Sequence, residues 1–373
     1  MRILIFNWRD IKNPTSGGAE ILTHELARRW VERGNKVVMF CSFYKNAKQK
    51  ESVDGVEIIR EGNPDARHLW NSVHFKAFIN YKRKFKGNFD VVIDEIHGLP
   101  FFTPLYVKEK KIALICEVAG GLWYKMYGSI FGSIGRLVEI IYLKLFYQQL
   151  HFLTISNSTK HDLISNGIKE SYIHVIPMGV KLPNYKRSIL KEKAPTLLVV
   201  GRLSKPKGIE DAIKVLEYVL KFMPSARLWI VGRGEAEYTN YLKKITSDKG
   251  LENKVVFYGY VSEDEKFSLM SRAHLLLVPS TKEGFGLTIP EAGFAGTLSI
   301  VYKVSGLRDI VEEGVNGIIV NKDPLSMGKA VVEILSDKKK YAEIRKNAIE
   351  FSKRFDYEAS GSETLNLIAK YSL

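Results

Sequence analysis

Cysteine is scarce. Cys41 and Cys116 are the only two among 373 residues. Two thiols make neither a disulfide framework nor a cysteine metal cluster, so a reducing cytoplasm is the expected compartment. No apolar run approaches the ~20 residues of a membrane span. The opening run, residues 1–6, is too short for a signal sequence and passes at once into Asn7-Trp8-Arg9-Asp10. Acidic residues are in deficit: 56 Lys+Arg face 41 Asp+Glu, a net charge of +15. Residues 1–180 hold 25 basic against 17 acidic residues, and the remainder 31 against 24. An excess spread this evenly indicates no nucleic-acid face. It suits attraction to anionic phosphates or to an anionic membrane surface. What is present is a globular composition, 45% hydrophobic and 26% charged. The length suffices for two domains, each with its own core.

The first half begins as a strand–loop–helix–strand unit. Residues 2–6 read as a buried strand and residues 13–18 as a turn-rich loop. From Ala19, Ile21, Leu22, Leu26 and Trp30 recur at helical spacing. Residues 36–41 form the next strand, which opens a doubly wound sheet. Gly17 and Gly18 open the helix at the first strand's carboxyl end, where a phosphate would sit. Further strands are expected at 56–60, 90–94 and 111–117. His97 then lies at a strand's carboxyl end, as a ligand-binding or a structural side chain. Asn157-Ser158-Thr159 is expected to cap a helix. The stretch from Trp123 to Leu150 is apolar and aromatic, interrupted by Lys125, Arg136, Glu139 and Lys144. Two readings stand: a core helix preceded by an aromatic loop, or a membrane-facing surface. The basic run at residues 82–86 is a second candidate membrane contact, or a solvated face. Residues 181–194 read as a linker.

The second half starts again with a buried strand at 196–200. The loop after it carries Arg202 and Lys207 between Gly201 and Gly208. Two cations there can neutralise a diphosphate, Arg as a fork and Lys as a point charge. A strand at 255–261 ends in Tyr260 and Val261. Residues 278–292 form the densest stretch, with a strand before it and a helix expected from Pro290. Gly284 and Gly286 let the loop turn tightly and approach a ligand. Backbone amides at the helix start suit an anion. Glu283 and Glu291 flank them, and carboxylates accept hydrogen bonds from sugar hydroxyls. Amides for phosphate and acids for hydroxyls describe a sugar-nucleotide site.

The segment Glu283-Gly284-Phe285-Gly286-Leu287-Thr288 through Glu291-Ala292 resembles the E-x7-E signature of the retaining GT-B glycosyltransferases of family 4. Gly17-Gly18-Ala19-Glu20 is similar to that family's G-G-x-E loop. Gly201-Arg202-Leu203 with Lys207-Gly208 is similar to its G-R-L-x-x-x-K-G motif. Ser305-Gly306-Leu307-Arg308-Asp309 resembles its G-G-x-x-E loop, with Ser for the first Gly. Cys116 is a departure, standing where the family commonly carries a His. Either His97 compensates or Glu117 occupies that place.

The resemblance implies an α/β protein of two Rossmann-like doubly wound domains facing a cleft. Residues 1–181 would bind the acceptor and residues 182–350 the donor, with 351–373 crossing back to the first domain. It implies a retaining, metal-independent hexosyl transfer from a UDP- or GDP-sugar, with no further cofactor. Arg202, Lys207, Glu283 and His97 are the expected catalytic residues. Gly17, Gly18, Gly201, Tyr260, Val261, Gly284, Phe285, Gly286, Leu287, Thr288 and Glu291 are expected to hold the donor. Glu283 would hold sugar hydroxyls and Glu291 the ribose. The expected acceptor is a glycan, lipid-linked or membrane-proximal, met at the cytoplasmic membrane face. No nucleic-acid partner is expected. The alternatives are a soluble sugar-nucleotide enzyme with a small or polysaccharide acceptor, an epimerase or phosphorylase, and a non-catalytic sugar-nucleotide binder.

Overall fold

The computed structural model describes the chain except Pro177, 181–189, Lys282, Gly284, Ser305 and Leu373, and except the side chains of Lys125, Met126 and Ser372. Gly284, Ser305 and most of the expected linker thus lie outside the described residues. The chain divides into two compact units, one of Met1–Gly179 with Asp356–Leu373, the other Val180–Phe355.

The first unit is built on an eight-stranded sheet. Its strands are β1 (Arg2–Phe6), β2 (Lys36–Cys41), β3 (Lys50–Val53), β4 (Val56–Arg60), β5 (Val91–Ile96), β6 (Lys110–Ile115), β7 (His151–Thr154) and β8 (Ile173–Val175). Their order is β3-β4-β2-β1-β5-β6-β7-β8. All pairs are parallel except β3 with β4, a hairpin closed by Asp54-Gly55 that periodicity did not announce. β1 and β5 are buried along nearly their whole length because both sheet faces are covered. The helix Gly18–Glu32 buries Leu22, Leu26 and Trp30, while Ile21, expected on the same face, is exposed. Trp30 Nε1 donates to Gly361 O at 3.2 Å and Thr364 Oγ1 at 3.1 Å. These bonds dock the last helix, Tyr357–Ser372, on this unit. The helix Asn157–Ser165 is capped one residue earlier than expected: Ser156 Oγ accepts from Thr159 N at 3.1 Å.

The apolar stretch after Trp123 is helical from its start, not a loop followed by a helix. The helix Leu122–Ile141 breaks at Gly128, which has φ of +74°. Tyr142, Leu143 and Tyr147 are fully buried beyond it. Ile130, Phe131, Ile134, Leu137, Ile141 and Leu145 are exposed. One stretch therefore supplies both core and an uncovered apolar face.

The second unit holds β9 (Thr196–Val200), β10 (Arg227–Val231), β11 (Val255–Gly259), β12 (Leu275–Val278), β13 (Leu298–Tyr302) and β14 (Gly317–Val320). All are parallel, in the order β11-β10-β9-β12-β13-β14. Counted within the unit this is 3-2-1-4-5-6, the order of dinucleotide-binding sheets. Its core packs Leu197, Val199, Leu228, Ile230, Leu275 and Leu277 against Ile213 and Leu216 of the helix Ile209–Leu220 and Val331 of Pro324–Ser336. The end of the expected linker is anchored: Lys191 Nζ donates to Ala273 O and to Thr297 Oγ1 at 2.7 Å.

Candidate active site

Open α/β sheets bind ligands beyond the carboxyl ends of their strands, where the strand order reverses. In the second unit the reversal lies between β9 and β12. The loop after β9 carries Gly201, Arg202 and Lys207, and the loop after β12 carries Glu283 through Leu287. These two loops meet. Lys207 Nζ bonds Glu283 Oε2 at 2.6 Å, and Thr281 N donates to Pro206 O at 2.8 Å. Gly208 permits the approach. At φ +66° it is left-handed, and a Cβ there would lie 2.1 Å from Pro279 O. Arg202 is exposed and forms no ion pair among the described residues.

The helix after the second loop runs Thr288–Phe294, two residues ahead of the expected start at Pro290. Its first turn is closed by Ile289 N to Gly286 O at 2.9 Å and Glu291 N to Leu287 O at 3.3 Å. The amides of Leu287 and Thr288 precede those bonds. Pro290 falls inside the turn, where its missing N–H costs nothing. Phe285 is buried against Phe355, with ring centroids 5.9 Å apart. Glu291 pairs with Lys266 at 2.9 Å, and Lys266 also reaches Glu263 at 2.8 Å. Burial raises the Glu291 carboxyl pKa, with Lys266 opposing. Sequence reasoning missed Lys266, which sits on the helix Glu263–Arg272, 25 residues before its partner. Tyr260 is exposed after β11, with the Arg233 guanidinium 4.5 Å over its ring. Arg233 lies in Gly232-Arg233-Gly234, a short G-x-G that carries little weight as a sequence signal. Val261 follows Tyr260 and is half-buried.

In the first unit the strand order reverses between β1 and β5. Trp8 and Arg9 follow β1, and His97 follows β5. They line a cavity of about 1000 Å³ together with Ala19, Cys116, Glu117 and Trp123. His97 Nε2 lies 3.0 Å from Glu95 Oε1. Burial pulls the His97 pKa down, but Glu95 and Glu20 outweigh it and the net shift is upward. The Cys116 thiol is pushed well up by burial and by Glu95. That disfavours its thiolate form. His97, Cys116 and Glu117 thus all line this cavity, whichever takes the place of the family's His. Glu20 accepts from Gly17 N at 2.7 Å, fixing the start of the helix that Gly18 opens.

A buried ion pair holds the loop after β1. Arg60 grips Asp10 with Nε–Oδ2 at 2.6 Å and Nη2–Oδ1 at 2.8 Å, both side chains having 0% exposure. Burial works to raise the Asp10 pKa, but the bonds to Arg60 overcome it and lower it overall. Among the described residues no helix is long and apolar enough to cross a membrane.

Residues 16–182 match the family described as Glycosyltransferase Family 4, and residues 183–351 match glycosyl transferases group 1. An uncharacterized glycosyltransferase of Methanocaldococcus jannaschii is 31% identical over 56% of this chain and 57% of its own. A GDP-mannose:cellobiosyl-diphosphopolyprenol alpha-mannosyltransferase of Xanthomonas oryzae pv. oryzae is 26% identical over 66% of this chain and 64% of its own. The matched region thus spans less than two thirds of either relative. Among solved structures, sucrose-phosphate synthase from Thermosynechococcus elongatus superposes with a TM-score of 0.79 at 19% identity, covering 99% of this chain and 98% of that one. Anabaena HepE in complex with UDP and glucose gives 0.74 at 18% identity, covering 99% and 100%. These likenesses show the fold, which is GT-B. With both halves matched, the chain belongs to the GT4-like group 1 glycosyltransferases.

Proposed function

We propose that the protein is a retaining glycosyltransferase. It moves a hexose-type sugar from a nucleotide diphosphate sugar to an acceptor hydroxyl on a lipid-linked or membrane-proximal glycan. The observation that carries this reading is the meeting of Lys207 and Glu283 at the strand-order reversal of the second unit. A cation and a carboxylate there match the two ends of a diphosphate sugar.

As the anomeric C–O bond breaks, negative charge grows on the leaving diphosphate. Arg202, Lys207 and the Leu287 and Thr288 amides are set to stabilise it, and groups preorganised for developing charge contribute most to such barriers. Glu283 orients Lys207 and accepts from sugar hydroxyls. Glu291, held by Lys266, accepts from the ribose. The acceptor lies in the first unit near His97, which Glu95 orients. The acceptor attacks from the face the diphosphate leaves, and the diphosphate takes its proton, so configuration is kept. Protein cations do the work of a metal, and no further cofactor is required. The relatives' names include GDP-mannose and UDP, which supports a UDP- or GDP-sugar donor. The net charge of +15 supports work at the anionic cytoplasmic face of a membrane.

The test is a donor panel of UDP-, GDP- and ADP-sugars, read by thermal shift and nucleotide release, with and without EDTA. Stabilisation by one nucleotide is expected, with slow EDTA-insensitive release that Glu283→Ala abolishes. No stabilisation by any donor would overturn the reading. EDTA-sensitive release would overturn its metal independence.

A further inference from the structure

The cavity of the first unit is larger and more apolar than a sugar acceptor needs. Sugar sites present hydroxyl-bonding groups, whereas most of the side chains around this space of about 1000 Å³ are apolar. It also opens onto apolar surface. Tyr127, Phe131 and Ile134 line the cavity and are themselves exposed. From there the uncovered face continues along the helix through Leu137 and Ile141 to Leu145. At ~1.5 Å per residue the α-helical part of the stripe, Ile130 to Ile141, runs about 17 Å, with Leu145 in the wider turn beyond it. Ala66 and Arg67 also line the cavity, and the same short helix, Ala66–Asn71, exposes Leu69 and Trp70. Trp70 and Ile130 are each 74% exposed. Contiguous exposed apolar surface of this kind marks a binding face.

The packing keeps the cavity wall in place. Gly135 stands against Trp123: a Cβ there would lie 2.3 Å from the indole ring. The chain therefore folds back at Gly128 and seats Trp123 in the wall. The buried Trp123 Nε1 has no hydrogen-bond partner among the described residues. An apolar cavity with one polar atom left to satisfy suits an amphiphile. Around the cavity Arg9 and Arg67 stand against Asp65 and Glu117, His97 has Glu95 beside it, and burial holds His74 down at about 4. This favours a neutral chain over a charged group as the occupant.

We infer that this cavity receives the apolar chain of a lipid-borne acceptor, and that the exposed helix face and Trp70 rest among lipid tails at its mouth. A compact sugar would cover neither the cavity nor the stripe; a long chain covers both. The inference rests on the reading of the first unit as the acceptor side.

The probe is farnesyl monophosphate, with inorganic phosphate as the chainless control, titrated into the full chain by calorimetry. Binding of the first and not the second is expected. Phe131→Asp, at an exposed position, should weaken it by about tenfold or more, and Phe131→Leu should keep it. Circular dichroism checks the fold. Absence of farnesyl binding, or equal binding by Phe131→Asp, overturns the inference. So does a wild-type dimer that Phe131→Asp converts to monomer, since a second copy would then cover the face. Thermal shift with the nucleotide-sugar panel is run on the same samples. Chain binding without donor stabilisation defeats the donor reading alone, and the reverse defeats this one alone.

Discussion

Replacing Lys207 by Ala separates a catalytic cation from a structural one. The Lys207 ammonium is 2.6 Å from Glu283, with side-chain exposures of 32% and 15%. A pair this open to solvent contributes at most about 1 kcal/mol to folding, so the melting temperature should move by only a few degrees. The effect on turnover should be far larger. A donor aimed at charge that develops only in the transition state is worth roughly 10²–10³ in kcat. The donor's KM should rise less, because much of this charge is absent from the ground state. Glu283 also loses the contact that fixes its direction, which adds to the loss. The assay is steady-state transfer or nucleotide release, with urea unfolding on the same preparation. A variant with wild-type kcat would refute the phosphate role. A variant that lost several kcal/mol of stability would make Lys207 a structural residue.

Arg60→Met leaves Asp10 buried and unpaired, which should cost about 3–5 kcal/mol; urea midpoints close to wild type would contradict it. Because the folded Asp10 pKa is below 3.8, its contribution is complete above 3.8. It is lost as pH falls through the depressed folded value. Asp10→Asn should therefore flatten the acid limb of the stability profile, and an unchanged limb would count against the pairing. His97 titrates above 6.5 beside Glu95, so its share of stability is complete below 6.5 and fades as pH rises through the folded value. Glu95→Gln leaves Glu20 alone to oppose burial and should move the His97 ring-proton titration downward by NMR; no movement would remove Glu95 as its positioning residue. Gly208→Val places a side chain at φ +66° and against Pro279 O. It should cost more than about 1 kcal/mol and abolish donor stabilisation, and a variant with normal donor shifts would show that the loops need not touch.

Much of this architecture was legible because its determinants are local. Strand–loop–helix units follow from apolar period and turn residues, so β1, β2 and β9 and the loops after them stand close to where residues 2–6, 36–41 and 196–200 suggested. The spacing of Glu283 from Glu291 is likewise a property of the chain. The β3–β4 hairpin was not legible, since β3 alternates exposed and half-buried residues and carries little apolar signal. The early cap at Ser156 and the helix start at Thr288 moved by one or two residues, as ends set by competing hydrogen bonds do.

By itself the sequence determined which residue types stand on which loops, and in what order the βα units follow. Tertiary structure alone decided who meets whom. Lys207 and Glu283 are 76 residues apart, Arg60 and Asp10 50 apart, and only the parallel sheet order brings each pair into contact. The stretch after Trp123 makes the same point about burial. Its apolar period is uniform, yet Tyr142 is buried and Ile130 exposed, because a side chain is buried by what packs over it, and that neighbour is chosen by the fold and not by the local run of residues.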